Sequence, residues 1–215
     1  IRYIDVGTKA GPDTPHQLRI SEDGKYWYVV FINNNVIQKF RCSDDKLVAN
    51  IPLTPLAAGT GSVDQLNWNT FRISHSGKFA YVVSWADNGV VAAVDLVNNK
   101  LLHYLPGIFN PHGIELNSNE DVLYVGGQTG NYIYQIDSAF TNVQTISLEN
   151  GLAPNQTSKL DANDLLLPRN YQDSLFITCP KSNEVRVFSI SKNSVVKIIP
   201  TANNPLEIVY SKKSN

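Results

Sequence analysis

The chain has no methionine, not even at position 1, and only two cysteines among its 215 residues. Translation starts at methionine, so the sequence is expected to be a processed or excised piece of something longer. Cys42 and Cys179 fall at non-equivalent places of distant segments. That argues against a disulfide, and both are read as half-buried free thiols. Neither belongs to a zinc-type Cys/His spacing. Charge is also scarce, at 17% of residues with a formal net charge of −1. Such a chain has no broad basic field, which excludes nucleic acid as the expected partner. Apolar runs are short: the longest compact one, Tyr26 to Ile32, is the length of a strand, so no transmembrane segment is expected. A secretory leader is not expected within its first residues.

What the chain has is repetition. Pro111 to Leu116, Val122 to Val125 and Tyr132 to Asp137 are three short apolar runs separated by turn residues, the pattern of an antiparallel meander. The same order of runs occurs three more times. Taking Ile20, Ile73, Leu116 and Leu167 as equivalent, the copies start 53, 43 and 51 residues apart. Eight residues further on stand Tyr28, Tyr81, Tyr124 and Leu175, with no gap expected in any copy. The length differences fall in the links 54–68 and 149–163, where insertions do not disturb strand register. A period of this size with four short strands per unit predicts an all-β fold, a β-propeller of four-stranded antiparallel blades. The blades are expected at about 15–53, 68–105, 111–148 and 163–200 of one propeller domain or fragment. Residues 1–6 and 205–211 are expected as strands of incomplete flanking blades. Because a toroid must close, the remaining blades are expected on sequence outside this chain, the alternative being terminal strands that seal a smaller ring.

Ser21-Glu22-Asp23-Gly24-Lys25-Tyr26-Trp27-Tyr28-Val29-Val30 and Ser74-His75-Ser76-Gly77-Lys78-Phe79-Ala80-Tyr81-Val82-Val83 resemble the YVTN-type β-propeller repeat. Pro15-His16 and Pro111-His112-Gly113 are similar to its usual opening. The Thr-Asn pair of that repeat is missing, with Phe31-Ile32, Ser84-Trp85, Gly127-Gln128 and Cys179-Pro180 near its place, so no functional residue transfers on it. The resemblance implies a seven-bladed ring in an extracytoplasmic protein, whether periplasmic, cell-surface or secreted.

Propellers usually bind ligands at one mouth of the central channel, where the inner strands start. Four residues before the reference positions lie His16, Asn69, His112 and Asn163, a partial polar ring. Imidazoles there can ligate a metal or haem. Alternatively, each side chain bonds to the backbone of a neighbouring inner strand. Loops expected on the same face add Trp68, Trp85, Asp64, Asp87, Asn131, Asp161 and Asp164, an aromatic, amide and carboxylate set suited to a protein, carbohydrate or small polar ligand. Asp161 and Asp164 also invite an acid–base reading, but no nucleophile elbow or phosphate loop accompanies them. His75 is expected in a turn at the other end of the channel, and His103 on an outer strand. Asn155-Gln156-Thr157 fits a glycosylation acceptor.

The expected function is therefore a non-catalytic ligand- or protein-binding propeller with no cofactor, fused to or contacting another domain in the full-length protein. The alternative is an enzyme: a metal- or haem-dependent redox domain through His16 and His112, or a lactonase-like hydrolase.

Overall fold

The computed structural model describes residues 3–8, 13–55, 66–149, 152–153, 160–168 and 170–211. Asp64 and the Asn155-Gln156-Thr157 acceptor lie outside the described residues, as do parts of both long links. The chain divides into two compact units, Ile1–Pro111 and His112–Asn215.

The first unit holds two meander sheets. One is β1 (Pro15–Ile20), β2 (Tyr26–Phe31), β3 (Asn34–Arg41) and β4 (Leu47–Pro52). The other is β5 (Trp68–Ile73), β6 (Phe79–Ser84), β7 (Gly89–Asp95) and β8 (Lys100–Ile108). In the second unit the sheets are β9 (Pro111–Leu116) to β12 (Val143–Ser147), through β10 (Val122–Gly127) and β11 (Tyr132–Asp137), and then β13 (Leu165–Leu166), β14 (Ser174–Cys179), β15 (Glu184–Ser189) and β16 (Ser194–Pro200). Every sheet runs in sequence order with antiparallel neighbours. Among the described residues the one helical element is a single 3-10 turn, Pro180–Ser182.

The turn chemistry explains why the chain reverses where it does. Ser21 O accepts the Gly24 amide at 2.9 Å while Ser21 Oγ accepts the Tyr26 amide at 3.0 Å. Ser74 repeats both bonds with Gly77 and Phe79. Gly24 and Gly77 sit at φ 68° and 69°, a left-handed backbone that glycine adopts without a Cβ penalty. In the third copy Glu120 takes that conformation at φ 60°, and Asn117 Oδ1 accepts the two following amides.

Within each unit one face of a second strand is buried against the neighbouring sheet. In the first unit Tyr28, Val30 and Ile37 of one sheet meet Phe71, Ala80 and Val82 of the next around the buried Trp68. In the second unit Tyr124 and Ile133 meet Leu175, Ile177, Cys179 and Phe188. Burial of this kind contributes about 25 cal/mol per Å² of apolar surface.

Two expectations are corrected. Arg19 pairs with Tyr28, Arg72 with Tyr81, and Leu166 with Phe176. The fourth copy therefore carries one extra residue in its turn, and Phe176 rather than Leu175 matches the tyrosines. A one-residue slip reverses which face a side chain takes, and Leu175 accordingly shares a cluster with Ile177. Secondly, residues 3–6 and 205–211 carry no strand assignment. Alternation belongs to a segment, whereas a strand belongs to a pair, and neither segment makes a ladder here.

Candidate functional site

In the first unit His16 and Asn69 each fall at a register shift of their inner strand, between Pro15 and Gln17 and between Trp68 and Thr70. A bulge inserts an unpaired residue and re-aims its side chain. His16 Nδ1 lies 2.8 Å from the main-chain oxygen of Asn69. A carbonyl can only accept, so Nδ1 carries the proton and Nε2 is left as an acceptor. The next residue closes a second contact, in which the Phe71 amide donates to Gln17 Oε1 at 2.8 Å. Thus one inner strand holds the next at two points, by a donor to a carbonyl and an acceptor for an amide.

The second unit repeats this with substitutions. His112 Nδ1 is 3.0 Å from Asn163 O. Gly113 follows, and a Cβ there would stand 2.4 Å from Asn163 O and 2.8 Å from Asp164 Cα. At this joint close approach of two backbones replaces the second side-chain contact. Asn163 then donates through Nδ2 to Leu206 O at 2.7 Å, and the Ile208 amide donates to Asp164 Oδ2 at 3.2 Å. The two-point clasp of the first unit is thus reproduced on residues 206 and 208. The segment 205–210 is held at these two points without forming a ladder among the described residues. Gln128 Nε2 adds a bond to Asn163 Oδ1 at 2.8 Å.

The ring residues are therefore spent largely on joining strands, and the clasp partner Gln17 escaped the sequence reading. Its position, directly after the ring residue and equivalent to Asp164, was the available signal. Trp68 is a correction: fully buried, with its indole N–H on Asn35 Oδ1 at 2.9 Å, it is a core residue and presents no surface to a ligand. Trp85 is 43% exposed beside the exposed Asp87, whose Oδ1 accepts Asn110 Nδ2 at 3.0 Å. His75 lies in the exposed β5–β6 turn and His103 on β8.

Among the described residues six side-chain oxygens are buried without a hydrogen bond: Asn69 Oδ1 and Asn99 Oδ1 in the first unit, and Gln128 Oε1, Asn131 Oδ1, Glu149 Oε2 and Asp161 Oδ1 in the second. Asp161 sits at φ 62° with Lys181 Nζ 4.0 Å from its other oxygen. Burial raises the Asp161 pKa above the usual carboxylate value, and Lys181 opposes that shift. Each unit holds one ring histidine, and among the described residues no group of three His, Cys, Asp or Glu side chains is placed to hold a metal.

No family model matches the chain, and no curated protein matches it in sequence. Solved structures do. Hydrazine synthase of Kuenenia stuttgartiensis superposes with a TM-score of 0.67 at 17% identity, over 92% of this chain and 52% of that one. Virginiamycin B lyase from Staphylococcus aureus gives 0.61 at 16%, over 83% and 53%. A provisionally assigned 6-phosphogluconolactonase from Bacteroides fragilis gives 0.65 at 16%, over 96% and 61%. The fold is accordingly all-β, four four-stranded antiparallel sheets that match part of a β-propeller. This chain spans between about half and three-fifths of the length of these structures.

Proposed function

We propose that this chain is the binding portion of a propeller that takes a carbohydrate, a small polar molecule or a partner protein's loop at the starts of its inner strands, without catalysis. The observation that carries the reading is the set of buried oxygens at Gln128, Asn131 and Asp161 of the second unit that no protein donor reaches. An unpaired buried acceptor costs about 1–3 kcal/mol, and a ligand rich in hydroxyl donors would recover it. Within the first unit, the exposed Trp85 indole offers by itself an apolar face of the kind that sugars stack on. The YVTN-like turns and strands support a seven-bladed, extracytoplasmic setting for it.

The test is a panel of neutral oligosaccharides titrated against the chain, read by calorimetry and repeated with Gln128→Ala and Asp161→Asn. Saturable binding weakened about tenfold by either change is expected. Binding indifferent to both would refute it.

A second reading, a hydrolase or lyase segment, or a metal or haem site through His16 or His112, draws on the lyase and lactonase among the similar folds and on the Nε2 atoms that the clasp leaves as acceptors. Fold alone does not carry function across at such identities. Metal analysis, an absorption spectrum and a lactone-hydrolysis assay discriminate the two. Stoichiometric copper, a haem band or turnover would replace the binding reading.

A further inference from the structure

At the other end of the inner strands, still within the first unit, the turns after β1, β5 and β7 enclose a cavity of about 330 Å³. Asp23, Tyr26, Tyr28, Lys39, His75 and Ser76 are among its lining residues. Lys39 is only 7% exposed. Its ammonium donates to Leu96 O at 2.7 Å and stands 4.3 Å from the centroid of the Tyr26 ring. A carbonyl dipole and an aromatic face soften the cost of burying that charge, but neither supplies a negative charge to balance it. Attraction from Asp95 favours the ammonium, yet burial outweighs it and lowers the Lys39 pKa. An ammonium has three donors, and Leu96 takes one.

The rest of the lining narrows the class of ligand. Asp23 Oδ1 accepts from the Ser21 hydroxyl and the Lys25 amide while Oδ2 pairs with the Lys25 ammonium at 3.1 Å, which together hold its pKa near 2, so it is a carboxylate at neutral pH. A bare anion entering beside it would be repelled, whereas a hydroxyl would donate to it. We propose that this cavity binds a small hydroxycarboxylate, its carboxylate on the Lys39 ammonium and its hydroxyl directed to Asp23. The volume suits an acid of a few carbons, and the tyrosine rings of Tyr26 and Tyr28 cover its apolar edge.

Sodium lactate is the probe, with sodium acetate as the carboxylate lacking the hydroxyl and sodium chloride matching ionic strength. Amide resonances of the isotope-labelled chain report the site. Lactate is expected to give saturable shifts centred on Lys39, His75 and Val97, and to bind at least about threefold more tightly than acetate. Lys39→Met should weaken lactate at least about tenfold. No saturable shift at these amides, equal binding of acetate, or unchanged binding by Lys39→Met would overturn the proposal. If Lys39→Met does not fold, the wild-type titration decides, because shifts centred on Asn69 or Trp85 would also overturn it. The oligosaccharide titration uses different residues at the opposite strand ends, so either reading can fail alone.

Discussion

The joint between the first two sheets and the joint between the last two begin with the same residue and finish differently. His16 and His112 both donate Nδ1–H to the main chain of the next inner strand, at 2.8 and 3.0 Å. After His16 comes Gln17, whose amide oxygen holds the Phe71 amide at a side chain's length. After His112 comes Gly113, with the neighbouring backbone where a Cβ would be. One joint is spaced by a side chain and the other by the lack of one. The clasp is thus a pair of hydrogen-bonding tasks that His, Asn, Gln and Asp can share, as Asn163 and Asp164 do for residues 206 and 208.

The strongest way to break the contrast is to add a methyl group where backbone blocks it. Gly113→Ala places a Cβ 2.4 Å from Asn163 O, and main chain cannot rotate away as a side chain can. Overpacking of this kind costs about 3 kcal/mol, read as a lower urea midpoint. The converse change is expected to cost less: Gln17→Ala leaves the Phe71 amide unpaired in a buried strand, worth about 2 kcal/mol. Equal losses from the two changes would remove the distinction drawn between the joints.

Removing the shared element should matter less again. His16→Ala and His112→Ala each delete one hydrogen bond to a carbonyl, worth about 1 kcal/mol by thermal or urea unfolding. His112→Asn should recover most of that loss, because Asn163 performs the same donation in the same ring position. If asparagine is no better than alanine there, the imidazole serves something other than the joint, and the ligand reading of His112 gains.

This bears on what could be read from sequence. The repeat, the strand order and the tyrosine positions follow from alternating apolar runs and from Ser-X-X-Gly turns, which are local signals with local causes. The extra residue before Leu175 was invisible because Pro168 to Asp173 has neither the serine nor the glycine that marks the first two turns. Trp68 looked like a loop aromatic, since only the stacked sheets reveal that it fills their interior. The clasp depends on pairs 51 to 54 residues apart, and no single-sequence pattern says which amide oxygen meets which main-chain group.

Acid should weaken both units without telling their joints apart, because it acts on turns that each possesses. In the first unit the Ser21 hydroxyl, then the Lys25 amide, hold Asp23 down to about 2. In the second, the Thr141 hydroxyl and amide and the Asn142 side chain hold Asp137 down to about 2. A carboxylate with a depressed folded-state pKa stabilises the fold above its unfolded value near 3.8. That contribution disappears as pH falls through the folded value. Stability should therefore drop between about pH 4 and pH 2. Asp23→Asn and Asp137→Asn should each flatten part of that drop in urea titrations.

The smallest expected change needs no loss of global stability, because the two thiols allow each unit to be followed separately. Cys42 is partly exposed in the first unit, and Cys179 is fully buried in the second, inside the cluster that joins the third and fourth sheets. Burial pushes the Cys179 thiol up to about 12, so it has almost no thiolate at neutral pH and reacts only when that cluster opens. A disulfide reagent at pH 8 should modify Cys42 first and Cys179 far more slowly, with the modified residue identified by mass spectrometry. Gly113→Ala should speed modification of Cys179 and leave Cys42 at its original rate. Gln17→Ala should leave Cys179 alone. Should Gly113→Ala instead accelerate both thiols together, the two joints open as one event, and the difference between a side-chain clasp and a backbone contact has no consequence for how the chain comes apart.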